Sequence, residues 1–156
     1  MSSQPQLHEL LPHEAPMILL DTLIDIGDLH VHCQLTSNES SLFFDKNING
    51  IPGWVGIELM AQSVAAWSGY QASKENKSPP IGFLLGSRRY KCDTHSFPVG
   101  TLLDVHAQHV MESNGMAVFA CTIEHEGEEI ASAQLNAYVP SEEKLQQMLK
   151  GTSNES

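Results

Sequence analysis

The residues best suited to chemistry lie together in Pro52-Gly53-Trp54-Val55-Gly56-Ile57-Glu58-Leu59-Met60-Ala61-Gln62. Glu58 is the only acid in an apolar run that continues to Tyr70. A carboxylate in such surroundings is costly unless it has a partner or a task. The task that fits is proton transfer, because a buried carboxyl keeps its proton more readily near neutral pH and can act as an acid. Gln62 follows one helical turn later on the same face and reads as a structural or site-lining polar group rather than a catalyst. Gly53 and Gly56 permit tight packing and equally suit the close approach of a ligand to backbone N–H groups. Outside this stretch, Asn47 sits in a polar loop and His95 precedes Phe97. Arg88, Arg89 and Lys91 gather three of the 8 Lys and Arg of the chain, a local basic patch suited to an acidic partner.

These residues need an element to hold them. Large apolar groups at Trp54, Val55, Ile57, Leu59, Met60, Val64, Trp67 and Tyr70 cover most of a helical circumference. The run is too long for a strand. A helix buried on all sides is therefore expected from just after Pro52 until about Ala72, with Pro near the first turn where no N–H partner is needed. Trp54, Trp67 and Tyr70 are expected in the core or at a subunit interface.

Composition narrows the field. The chain has 156 residues, 17% charged and 41% hydrophobic, enough for one domain with a sizeable core. Residues 1–150 are expected to form it and residues 151–156 a disordered tail. No apolar run is long enough for a membrane span, and no secretory signal is recognised. Cys33, Cys92 and Cys121 are scattered, so neither a disulfide framework nor a zinc site is expected, and a reducing cytoplasm is the simplest setting. A net charge of −11 argues against nucleic-acid binding. The 8 His show no ligand spacing on a helix, so no metal or other cofactor is expected. His13 is read as fixing local loop structure.

In chain order, residues 7–12 read as a short helical turn. Met17–Ile26 and then Leu29–Thr36, around Gly27-Asp28, read as a hairpin. Leu42-Phe43-Phe44 is an apolar anchor before the loop Asp45–Gly50. Two prolines in the linker Ser73–Pro80 bar any helix. A strand is expected over Ile81–Tyr90, a turn at Phe97–Gly100, and a long alternating strand over Thr101–Met111. Ser113-Asn114-Gly115 is a hairpin signal. Ala117, Phe119, Cys121 and Ile123 form the return strand, and Ile130–Val139 the last. Ser141 can cap a short helix at 142–149. The order predicts an α+β fold, a curved antiparallel sheet wrapped around one long helix. Open edges and an uncovered apolar surface make a dimer the natural remedy.

Four blocks between Leu10 and Val139 resemble the hotdog-fold 3-hydroxyacyl-(acyl-carrier-protein) dehydratases of fatty-acid synthesis. They are Pro12-His-x-Ala-Pro-Met-x-Leu-Leu-Asp21, the pair Phe43-Phe44, Pro52-Gly-x-Val-x-Ile-Glu-Leu-Met-Ala-Gln62, and Phe83–Tyr90 with Phe97-Pro-Val-Gly100. The chain also resembles the dehydratase-like subunits of aryl-polyene and related lipid gene clusters. The resemblance implies a hotdog dimer with an active site that straddles two subunits. A loop His of one subunit takes the C2 proton of a 3-hydroxyacyl thioester, and an acid on the partner's helix protonates the departing hydroxyl. Glu58 matches that acid, and Gly53, Val55 and Gly56 match the helix start that receives the thioester oxygen. The implied substrate is carried by acyl carrier protein, with Arg88, Arg89 and Lys91 as a docking patch.

The chain departs from the family where the His belongs. The family loop reads Phe-Phe-x-Gly-His-Phe-Pro-Gly-x-Pro-x-x-Pro-Gly; here it is Phe43-Phe-Asp-Lys-Asn-Ile-Asn-Gly-Ile-Pro-Gly53, three residues shorter. Counted from the Phe pair the His position holds Asn47, and counted back from Pro52 it holds Phe44. Asn cannot act as a base. The assembly is expected to be a homodimer or a heterodimer with a related hotdog subunit, and three readings of the site stay open: a related subunit brings the His, His95 moves in, or the chain is an acyl thioesterase or an inactive acyl-binding scaffold subunit.

Overall fold

The computed structural model describes residues 6–11, 17–74, 83–113 and 115–138. Its elements are helix α1 (Leu7–Leu10), strands β1 (Thr22–Ile26), β2 (His30–Thr36) and β3 (Gly50–Pro52), and a 3-10 turn at Gly53–Val55. Helix α2 (Gly56–Lys74) follows, then β4 (Phe83–Cys92), β5 (Ser96–Pro98), β6 (Leu102–Ser113), β7 (Met116–His125) and β8 (Glu128–Tyr138). Six strands form one antiparallel sheet in the order β1-β2-β6-β7-β8-β4, and β3 pairs with β5 separately. The sheet packs around α2, which is the hotdog arrangement.

Alternation decides which side chains face the helix, since successive strand residues point to opposite faces. Val31, Cys33 and Leu35 of β2, Leu103, Val105 and Ala107 of β6, and Ala117, Phe119, Cys121 and Ile123 of β7 all point inward and are buried. Leu59, Met60, Val64 and Ala66 of α2 meet them. Gly69 lies against the Leu10 backbone so closely that a Cβ there would collide with the Leu10 carbonyl. That contact seats α1 on α2.

Several expectations need correction. The first strand is Thr22–Ile26, because residues 17–19 are held by a side chain of α2. Phe97 is no turn residue: it is fully buried, and Ser96–Pro98 pairs with β3, leaving the turn to Val99 and Gly100. Leu42 is 51% exposed and does not anchor the loop, although Phe43 packs on the core. Helix α2 is not buried all round. Ile57, Glu58, Ala61, Ala65, Ser68 and Ala72 stay half-buried along one side, at helical spacing. Ile81, Asn114, Val139, the helix expected at 142–149 and the tail 151–156 lie outside the described residues.

Candidate active site

The start of α2 is gripped by the β4–β5 connection. Gly53 donates its N–H to the His95 carbonyl at 2.8 Å, and its own carbonyl accepts the Tyr90 hydroxyl at 2.5 Å. A Cβ on Gly53 would come within 2.7 Å of the Thr94 carbonyl oxygen, so the close approach requires glycine. The Gly56 N–H turns back to the carbonyls of Gly53 and Trp54. The amides of Gly53 and Gly56 are thus both engaged within the chain. Val55 is buried against the core.

Glu58 lies in the first turn of α2, on the partly open side. It is half-buried, not sunk in the core as expected. Its carboxylate makes no hydrogen bond or ion pair with any described residue. A half-buried, unpartnered acid beside Ala61 and Ala65 faces space that small side chains leave open. Trp54 stands next to this face, 61% exposed, with its ring edge-to-face on Phe43 at 5.4 Å.

Gln62 takes a structural role. It is only 2% exposed, and both its oxygen and its nitrogen are hydrogen-bonded. Oε1 accepts the Leu19 N–H and Nε2 donates to the Met17 carbonyl, both at 2.8 Å. It clamps the segment that leads into β1. Asn47 is exposed in the loop closed by Asp45 and Gly50, and its backbone N–H bonds the Asp45 carboxylate at 2.8 Å. The His95 side chain is exposed; only its backbone carbonyl reaches the helix start.

The other described histidines are placed elsewhere. His30 bonds Asp25, His32 bonds Asp104, His106 is 3.4 Å from Glu124, and His125 bonds the Leu102 carbonyl. His109 stacks on Trp67 and abuts Phe119, with Nε2 buried and unpartnered among the described residues. His8 is exposed on α1, and His13 lies outside the described residues. No described histidine is bonded to Glu58.

A cavity of about 260 Å³ opens beside the helix start, lined by Leu35, Leu42, Phe43, Ile51, Val55 and Leu59 with polar groups at its rim. It lies on the Val55–Leu59 face of α2, and Glu58 is not among its lining residues. Arg88, Arg89 and Lys91 are all exposed on β4, which is an outer strand of the sheet. Arg89 adopts φ +58°, unusual for a side chain other than glycine. Among the described residues no cluster of His, Cys, Asp or Glu is arranged to hold a metal ion, and no helix is long and apolar enough to cross a membrane. Sequence reasoning missed Tyr90, for its partner lies 37 positions away.

A curved antiparallel sheet around one central helix that carries an acid in its first turn defines a hotdog-fold protein. Residues 5–150 match the ApeP-like family, described as ApeP dehydratase. The chain is 32% identical to a chain of the dehydratase heterocomplex ApeI:P from Xenorhabdus doucetiae, with a TM-score of 0.84, covering 94% of this chain and 99% of that one. It is 28% identical over 140 residues to the 3-hydroxyacyl-[acyl-carrier-protein] dehydratase FabZ of Bartonella quintana (strain Toulouse), covering 86% of this chain and 87% of the relative. A hypothetical thioesterase with coenzyme A from Streptococcus pneumoniae TIGR4 shares the fold alone, at 14% identity and TM-score 0.61 over 76% of this chain and 84% of that one. The chain belongs to the ApeP-like family of dehydratases.

Proposed function

We propose that this chain is the acid-bearing subunit of a two-subunit dehydratase acting on 3-hydroxyacyl thioesters of an acyl carrier protein, in fatty-acid or polyene synthesis. The observation that carries the proposal is Glu58. It is half-buried on an open helical face, and no described histidine is bonded to it. Elimination of water across C2 and C3 needs a base for the C2 proton and an acid for the leaving hydroxyl. Glu58 supplies the acid. The base is a histidine of a related hotdog subunit seated on the Trp54–Ala65 face, whose exposed aromatic and small side chains suit a close neighbour. The naming of the ApeI:P structure as a heterocomplex supports this reading. Asn47 is a loop residue without a proton-transfer role. The start of α2 places the positive end of the helix dipole near the thioester oxygen. The acyl chain lies in the cavity beside Leu59, and Arg88, Arg89 and Lys91 attract the acidic carrier.

The test is dehydration of a 3-hydroxyacyl carrier protein by the chain alone, by a related His-bearing hotdog subunit alone, and by the pair. Activity is expected from the pair, and Glu58→Gln in the pair is expected to lower it at least about a hundredfold. Dehydration by this chain alone, or full activity of the Glu58→Gln pair, overturns the proposal. Release of free carrier thiol instead of dehydration identifies a thioesterase.

A further inference from the structure

We infer that Tyr90 is a positioning residue for the acid-bearing turn, a role that rests on the reading of Glu58 given above. The Tyr90 hydroxyl reaches from β4 to the Gly53 carbonyl at 2.5 Å, five positions before Glu58. The same carbonyl accepts the Gly56 N–H, so one oxygen ties β4, the 3-10 turn and the first residue of α2 together. The hydroxyl also fills the space beside Gly56, where a Cβ would collide with it. Cys92 flanks the cluster, with Sγ near Gly53.

A bulge in β4 makes this reach possible. Arg88 faces Gln134 and Lys91 faces Ser132, so two residues of β4, Arg89 and Tyr90, stand opposite Ala133 alone. Strict alternation from Arg88 would send Tyr90 outward with it. The extra residue reverses the parity, and Tyr90 turns inward while Arg88 and Lys91 keep the outer face. Arg89 takes up the distortion with its φ of +58°. A conformation that disfavours arginine is thus maintained at the point that aims a tyrosine at the helix start. Burial, followed by the neighbouring Cys92, pushes the Tyr90 hydroxyl well above its ordinary pKa. It therefore stays protonated, a donor at every working pH. Holding the turn fixes where the Glu58 carboxyl projects, and small misplacements of a reacting group are expensive in rate.

The experiment is Tyr90→Phe in the two-subunit dehydration assay, with Glu58→Gln beside it. Tyr90→Phe keeps the ring and removes only the hydroxyl. The expected result is a kcat lower by roughly ten- to a hundredfold with KM unchanged and the pair still assembled. An unchanged kcat, or a raised KM with kcat intact, overturns the proposal while an inactive Glu58→Gln leaves the role of Glu58 standing. Full activity in Glu58→Gln overturns that role, and this proposal with it. Gly56→Ala is the second variant, for it crowds the hydroxyl without removing it. Its kcat is expected to fall, and to recover in part when combined with Tyr90→Phe, which removes the crowding atom. A fully active Gly56→Ala, or losses that simply multiply, overturns the proposal.

Discussion

The Gln62 side chain accepts the Leu19 N–H at 2.8 Å from a position where only 2% of its surface meets solvent. With the Met17 carbonyl bonded to the same carboxamide, a helix side chain serves the backbone of a segment that pairs with no strand among the described residues. Gln62→Leu keeps the volume and leaves an N–H and a carbonyl without partners. It is expected to destabilise the chain by about 1–3 kcal/mol, read from the midpoint of urea unfolding. Leu19 and Ile18 line the cavity, so the same variant is expected to weaken binding of an apolar ligand there.

His109 presents the opposite case. Its ring centroid lies 5.1 Å from that of Trp67 and 5.3 Å from that of Phe119, but Nε2 is buried without a described partner. Replacing an unpartnered polar atom by carbon removes a desolvation cost. His109→Phe is expected to leave stability unchanged or raise it by about 1 kcal/mol. A clear loss in equilibrium unfolding would mean that the imidazole has a partner.

Arg89 separates fold from docking. Its positive φ is one that glycine adopts freely, so Arg89→Gly is expected to raise unfolding free energy by up to about 1 kcal/mol. The same change removes one of three adjacent cations. Carrier-protein affinity is expected to fall roughly two- to fivefold at low salt, and less at high salt. A calorimetric titration beside a thermal melt checks both. Loss of stability with affinity intact would contradict both expectations.

Asp104 gives a pH dependence. Burial raises its pKa, but hydrogen bonds from His32 and Gln34, with the nearby charges of His32 and His106, outweigh burial and hold it below the usual 3.8. A carboxyl lowered by folding contributes stability that is fully present above about pH 4 and lost as pH falls through its folded value. Acid unfolding of the native chain is expected to be steeper below about pH 4 than that of Asp104→Asn. Equal acid limbs in the two unfolding curves would remove Asp104 as a contributor.

The long strands were legible because burial repeats every second residue. Val31-Cys33-Leu35 and Ala117-Phe119-Cys121-Ile123 point inward as their spacing requires. The central helix and Glu58 were legible because an acid in a long apolar run is conspicuous. Other features depend on contacts that no local pattern encodes. Ser96-Phe97-Pro98 is too short to alternate and ends in proline, yet it becomes a strand because Gly50–Pro52 lies alongside. The Arg89–Tyr90 bulge breaks the very periodicity that identifies a strand, so the inward turn of Tyr90 could not be read from spacing. A structural or lining role was legible for Gln62 from its place in an apolar run, but its partners Met17 and Leu19 lie over forty positions away and could not be read from spacing. The open side of α2 was hidden because alanines and a serine read as core as readily as contact surface.

The three cysteines differ in a way that has a practical use. Cys33 and Cys121 are buried, and burial pushes their thiols up to about 11 and about 12, so they resist alkylation near neutral pH. Cys92 is only half-buried, with Sγ bonded to the Thr94 carbonyl at 3.1 Å beside Gly53. A maleimide dye is therefore expected to tag this position ahead of the other two, giving a native reporter beside Gly53 at the start of α2 without any engineered label site.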